Sequence, residues 1–180
     1  MGGDQMARKW SRGNRGAALV ELAIALPLLI MLLVGMVSAG IAYNHQLALT
    51  HSAREGGRYA ATLPVTDLGM NAWLTEIVSQ TIDDATGTLG SGVPGRYVCV
   101  AYVYPNGVSA NDQTTRQVLS GSGPPATDVG QQCMAGGDGR PDTERRVQVV
   151  VARDIDFNAV VFSSTLTIDA EAVNRFEASS

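Results

Sequence analysis

Few side chains in this sequence of 180 residues have the types and spacing for chemistry. Cys99 and Cys133 are the only two cysteines. They can form a bridge or remain two thiols, and without histidines beside them they do not make a zinc site. His45 and His51 are too far apart to be neighbours on one helix face, so no shared metal is expected. Gly136-Gly-Asp138-Gly-Arg-Pro-Asp142-Thr-Glu144 gathers three acids around a glycine-rich turn. It lacks the ligand order of an EF-hand and reads better as a solvated polar turn than as a calcium loop. No Gly-x-Ser-x-Gly, His-Glu-x-x-His or phosphate-binding glycine loop occurs, so neither an enzyme nor a cofactor is expected. The remaining candidate is Glu21. It is the only acidic or basic side chain between Arg15 and Arg54. A carboxylate carried to mid-bilayer costs roughly 2.5–3.5 kcal/mol. Near the start of an apolar run it reaches the interface and costs less, but a plain anchor has no need of it.

The element that carries Glu21 dominates the composition. Hydrophobic residues make up 45% and charged residues only 17%, below the usual ~25% charged. The deficit falls between Arg15 and Arg54, which argues against a disordered chain and against a purely soluble cytosolic domain. The 20 glycines follow no period, so neither a collagen-like nor a coiled-coil rod fits. With 13 basic and 17 acidic residues the net charge is −4, which leaves no global basic footprint and no expectation of nucleic-acid binding. Arg8, Lys9, Arg12 and Arg15 precede the apolar run Ala17–Ala42. A basic cluster there stays in the cytoplasm by the positive-inside rule. The run is about 39 Å long at ~1.5 Å per residue, against the ~20 residues that cross a bilayer. It is also longer than the core of a cleavable secretory signal, although Val37-Ser38-Ala39 would offer small residues for a cut. The chain therefore divides into a cytoplasmic basic leader 1–16, a transmembrane helix 17–42, and an exterior domain 43–180, with the amino terminus inside the cytoplasmic membrane. Pro27 should kink the helix. Gly35 and Ala39 give it a small-residue face that another membrane helix can approach.

Arg15-Gly16-Ala17-Ala-Leu-Val-Glu21-Leu has the pattern of a basic residue, Gly, four residues and Glu before a long apolar helix. It resembles a type IV prepilin signal. The stretch from Arg15 to Ala61 resembles more closely the TadE-like proteins, pseudopilins of the tight-adherence (Flp) pilus machinery. The matching features are Gly-Ala-Ala-Leu-Val-Glu, Leu26-Pro27-Leu-Leu, and Ala53-Arg54-Glu55-Gly56-Gly-Arg58-Tyr59-Ala-Ala. The tail from Leu166 to Glu177 also resembles that family, whereas the middle of the chain resembles nothing specific. The resemblance implies that a membrane aspartyl prepilin peptidase cuts between Gly16 and Ala17. Glu21 then becomes the fifth residue and serves assembly, by compensating the α-amino group of a neighbouring subunit. It also implies a pilin-like fold, and as partners other pilins or pseudopilins and pilus-assembly membrane proteins.

Beyond Ala42 nothing breaks the helix until Leu63-Pro64. Ala53, Gly57, Ala60 and Ala61 form a small-residue stripe for close packing. Glu55 and Arg58 make a weak pair, and Arg54 is expected in solvent. A second helix over about 68–86 is predicted, with Asp67 as its N-cap and with Trp73, Ile77, Val78, Ile82 and Ala85 in the core. Arg96–Tyr104 reads as a central strand, with a turn at Pro105-Asn106-Gly107. Residues 109–144 read as a long surface loop with room for a short helix near Arg116 to Leu119. Arg145–Ala152 and Leu166–Phe176 read as further strands, with a short edge or turn at Phe157–Phe162. The sum is an α+β fold: a long N-terminal transmembrane helix, then a second helix packed on a small antiparallel sheet of three or four strands. Both cysteines lie in the exterior part, where disulfides persist. A Cys99–Cys133 bridge is therefore expected, closing a loop of about 35 residues.

The function expected from this reading is that of a TadE-like pilus assembly protein, a minor pseudopilin. It would be a single-pass protein of the cytoplasmic membrane, or part of a surface pilus after processing. The competing reading is an uncleaved single-pass protein whose exterior domain binds a ligand or partner.

Overall fold

A computed structural model describes residues 4–85, 87–104, 114–141, 143–158 and 163–176. The turn expected at Pro105-Asn106-Gly107, residues 159–162 of the expected short edge, Asp142 and Glu177 lie outside them. The dominant element is α1, Asp4–Thr62, a helix of 59 residues, about 88 Å long at ~1.5 Å per residue. It continues unbroken through Pro27 and past Ala42. The basic leader from Asp4 onward is thus the first part of the same helix. One helix in the described residues, starting at Gly16, is long and apolar enough to cross a membrane. The architecture is α+β with one candidate membrane span among the described residues.

Leu63-Pro64 ends α1 because the proline disfavours helix at the preceding residue. A one-turn helix α2, Val65–Leu68, follows, then α3, Met70–Asp84. Asp67 therefore lies in α2 rather than capping the second long helix. The position before α3 is Gly69, which adopts a positive φ of 76°, a conformation easiest for glycine. α3 buries Trp73, Leu74, Ile77, Val78 and Thr81, one helical stripe.

The sheet has five strands, all antiparallel: β1 Tyr97–Val103, β2 Thr115–Ser120, β3 Ala126–Val129, β4 Arg146–Asn158 and β5 Ser163–Arg175. Their order is β3-β2-β1-β4-β5. β1 is the middle strand, as its continuous apolar run requires, and nearly all of it is buried. The sequence led us to expect three or four strands and a loop, with a helical turn, where β2 and β3 stand. β2 is a strand because Thr115, Gln117 and Leu119 alternate inward against β1. Two of those three inward residues are polar, so the period of two is invisible to a hydrophobic reading.

α1 and α3 pack on one face of the sheet. Leu49, Ala53 and Ala60 of α1 and Trp73, Leu74 and Ile77 of α3 meet Val98, Val100, Val147, Val149, Val151, Ala170 and Ala172. Trp73, Tyr102 and Phe176 close the far end, with ring centroids 4.7–6.0 Å apart. On the other face Gln132, Cys133 and Asp138 lie against the strands. Cys133 is joined to Cys99 of β1 by a disulfide.

Candidate functional site

The residues singled out by sequence fall into three places. The first is the free length of α1. Gly16, Ala17, Glu21 and Pro27 all lie on it, and residues 16–33 are exposed on every side. No other part of the described chain comes within 4 Å of the Cβ position at Gly16. Glu21 is thus an exposed carboxylate in a helix surface otherwise made of Leu, Val, Ile, Ala and Met. Among the described residues nothing buries this surface.

The second place is the junction of α1 with the folded part, where the motif Ala53-Arg54-Glu55-Gly56-Gly-Arg58-Tyr59 sits. Its residues divide by helix face. Ala53 is fully buried, and Tyr59 packs half-buried on the core. Gly56 faces α3 so closely that an added Cβ would overlap Thr81 Oγ1, with Thr81 Cβ at 3.2 Å. Gly57 faces β5, where an added Cβ would meet Asn174 Oδ1 at 2.6 Å and Ala172 Cβ at 3.6 Å. Thr81 cannot turn away freely, because it is buried and its hydroxyl donates to the Ile77 carbonyl at 2.7 Å. Arg54 points to solvent, and Arg58 donates to Glu55 through Nε and Nη2. Below the motif, Gln46 Nε2 donates to the Asp169 carbonyl of β5 at 2.8 Å. Sequence reasoning placed Gly57 but not Gly56 in the small-residue stripe, and it did not find Thr81 and Asn174 as the groups that these glycines face.

His45 and His51 border a groove of about 590 Å³ together with Asn44, Ala48, Asp84 and Thr88. His45 Nδ1 is 3.5 Å from Thr88 Oγ1. No cluster of three or more His, Cys, Asp or Glu able to hold a metal occurs among the described residues.

The third place is the 130–145 segment on the far face of the sheet. Here the structure shows a network that the sequence reading missed. Arg146 and Asp138 form an ion pair whose side chains are 2% and 1% exposed. Gln148 Nε2 also donates to Asp138 Oδ2, at 2.8 Å, and to Gln132 Oε1, at 2.9 Å. Gln148 Oε1 accepts from the Cys133 amide at 3.1 Å. Arg146 Nη1 donates to the carbonyls of Pro141 and Glu144. Burial by itself would raise the Asp138 carboxyl. Hydrogen bonds from Arg146, Gln148 and the Arg140 amide, with the Arg146 charge, hold it below the usual carboxylate range. Asp138 is therefore a structural anion committed to Arg146. The signal in the sequence was Arg146 and Gln148 alternating with Val147 and Val149, polar residues on one face of an otherwise apolar strand.

The likeness to known proteins falls on the free helix and the motif stripe. Residues 16–58 match the family model of the TadE-like proteins. No curated protein and no solved structure matches the chain. The TadE-like segment thus begins at Gly16 and ends at Arg58, inside the junction with α3 and β5. It takes in the exposed apolar helix, Glu21, Pro27 and the glycines that seat the helix on the folded part.

Proposed function

We propose that this chain is a TadE-like pseudopilin that takes part in building a tight-adherence (Flp) type IV pilus. In this reading it inserts in the cytoplasmic membrane with residues 1–16 inside, crosses it within 17–42, and holds residues 43–180 outside. The prepilin peptidase removes the leader after Gly16. The observation that carries the reading is the TadE-like match, which starts at Gly16 and includes a lone carboxylate on an uncovered apolar helix.

The chemistry follows from that carboxylate. After cleavage Ala17 carries a new α-amino group, and Glu21 is the fifth residue. Amine and carboxylate of adjacent subunits ~4 Å apart attract by about 4 kcal/mol at an effective dielectric of 20. Part of that attraction is cancelled by desolvation. The remainder favours one register between neighbouring helices, whose apolar surfaces supply most of the association. Other pilins or pseudopilins and the pilus-assembly membrane proteins are the partners this surface fits.

Intact-mass analysis of protein from cells that hold the prepilin peptidase tests the reading. The expected chain begins at Ala17. A mature chain beginning at Met1 or at Gly40 would refute it and leave an uncleaved anchor or a secretory signal.

A further inference from the structure

The β4–β5 hairpin is longer than the core it closes. Beyond Val151 and Ala170 the strands stay paired, Ala152–Asn158 against Ser163–Asp169. Alternation along the strands makes this extension two-faced. The core-side face carries Arg153, Ile155 and Phe157 of β4 and Ser164, Leu166 and Ile168 of β5. Arg153, nearest the core, donates to the Thr88 carbonyl at 3.0 Å, which leaves Ile155, Phe157 and Leu166 as the apolar side further down. The opposite face carries Asp154 and Asp156, which accept hydrogen bonds from Thr167 at 2.6 Å and Thr165 at 2.8 Å. Ile155 is buried and Phe157 half-buried, but Leu166 is 49% exposed.

Two contacts fix where the extension runs. Gly57 of α1 lies against Ala172 and Asn174 of β5, and Gln46 lies against Asp169. Helix and strand therefore descend together. From Asp169 to Ser163 the strand covers about 20 Å at ~3.3 Å per residue. The same distance along α1 is about 13 residues at ~1.5 Å each, which leads from Gln46 to Leu33. The burial of α1 agrees independently. Within Gly16–Ala42 only Val34, Ser38 and Ala42 are half-buried, all other positions being exposed. They form one stripe of spacing four that continues through Gln46 to the buried Leu49 and Ala53. The last paired residues of β4 and β5, Asn158 and Ser163, thus stand beside α1 at the height of Val34.

That height meets the edge of the bilayer. A span needs about 20 apolar residues, and within the 17–42 run a span over Ala17–Met36 suffices, ending two residues beyond Val34. We propose that the end of the β4–β5 hairpin, through Phe157 and Leu166, sits in the interfacial layer of the bilayer that α1 crosses. The protein then touches the membrane with two elements instead of one. Lipid is the occupant because the apolar side of the hairpin and the apolar run of α1 form a continuous surface at one height. Asp156, paired with Thr165 one step nearer the tip than Leu166, sets the depth. Further descent would desolvate its carboxylate. The proposal rests on α1 as a membrane span and is independent of the pilus reading.

Site-directed nitroxide labelling of the full chain tests it, since the native cysteines are joined and an introduced one is the only free thiol. Leu166→Cys, Ser164→Cys, Leu28→Cys and Ser122→Cys would each be labelled and placed in vesicles of phosphatidylethanolamine and phosphatidylglycerol. Accessibility to dissolved oxygen is compared with accessibility to a water-soluble nickel chelate. The expected oxygen-to-nickel ratio at 166 is severalfold that at 122, on an exposed turn, and below that at 28, with 164 similar to 166. Equal ratios at 166, 164 and 122, with 28 in lipid, would overturn the proposal. So would spin–spin broadening at 166, which would mean that a second copy covers the hairpin. A water-like reading at 28 would overturn the span itself, and the proposal with it.

Discussion

Gly56→Ala separates a glycine kept for close packing from one that merely occurs in a helix. At an exposed helical position the exchange stabilises by about 0.5–1 kcal/mol, because glycine loses more backbone freedom on folding. At Gly56 the new methyl would overlap Thr81 Oγ1. That atom belongs to a short, buried side chain held to the Ile77 carbonyl, so α1 and α3 must move apart. Such overpacking costs roughly 1–3 kcal/mol. The net expectation is a loss of about 1–2 kcal/mol, or roughly 2–8 °C in melting temperature for a chain of this size. The assay is thermal unfolding of the full chain in detergent, followed by the tertiary tryptophan signal with Trp10→Phe as background, so that it reports buried Trp73. A double-mutant cycle with Thr81→Ala identifies the cause. With the hydroxyl gone the nearest remaining atom is Thr81 Cβ at 3.2 Å, a contact relieved by a few tenths of an ångström. Gly56→Ala should then cost little or stabilise, giving a coupling of about 1–2 kcal/mol. Gly40→Ala, where nothing lies within 4 Å, serves as the reference. If Gly56→Ala stabilises as Gly40→Ala does and shows no coupling to Thr81, the close-packing argument fails.

The Asp138 carboxyl titrates below its ordinary value in the folded chain. Its contribution to stability is therefore present above the unfolded value near ~3.9 and is lost as pH falls through the folded value. Urea unfolding across acid pH should show a steeper acid limb for wild type than for Asp138→Asn. Reduction of Cys99–Cys133, or Cys99→Ser with Cys133→Ser, should lower stability by about 3–4 kcal/mol on the chain-entropy account, read as a denaturant midpoint with and without reductant. Glu21→Ala should leave the membrane level of the protein unchanged or higher, since the helix becomes more apolar, while surface-pilus yield falls steeply. Glu21→Gln should behave likewise, and normal pili from Glu21→Ala would remove the assembly role of this carboxylate.

How far the fold was legible depended on where apolar side chains lay. α1, α3, β1 and the start of β4 follow from hydrophobic period alone. Trp73, Ile77, Val78 and Ala85 are in the core as expected, whereas Ile82 is only partly buried and the buried Leu49 and Leu74 were not foreseen. β2 was hidden because its inward positions include Thr115 and Gln117, and the Gln117 amide Nε2 donates to Thr75 Oγ1 at 3.1 Å. The extra length of the β4–β5 hairpin was hidden because Arg153, Asp154 and Asp156 look like the end of a strand. In the structure Asp154 and Asp156 are bound by threonines across the pair. The glycine-rich 136–144 stretch read as a solvated turn. Asp138 is buried there because Arg146 and Gln148, strand residues ten or fewer positions away, turn onto the outer face to meet it. A partner of that kind has no signature in local spacing. In the candidate site the motif itself was legible, but the atoms that make Gly56 and Gly57 necessary lie 25 and 117 residues further along.

These two glycines also determine what α1 can do. Adjacent helical residues point about 100° apart at 3.6 residues per turn, so Gly56 and Gly57 press the helix against two different neighbours, α3 and β5. The Gln46–Asp169 hydrogen bond holds it again lower down. A helix held at 46 and at 56–57 cannot rotate about its own axis without breaking these contacts. Its phase is then carried through the unbroken turns to Glu21, 25 residues below Gln46. At about 100° per residue that is a whole number of turns less roughly 20°. Glu21 therefore lies on nearly the same face as Gln46, the residue through which α1 meets Asp169 of β5. In the pseudopilin reading, an α-amino group that pairs with Glu21 arrives on that side, and the orientation of the folded part relative to its neighbour is fixed by the phase of one helix. Loosening the clamp, as Gly56→Ala does, should then degrade assembly even where cleavage and the charge of Glu21 are intact.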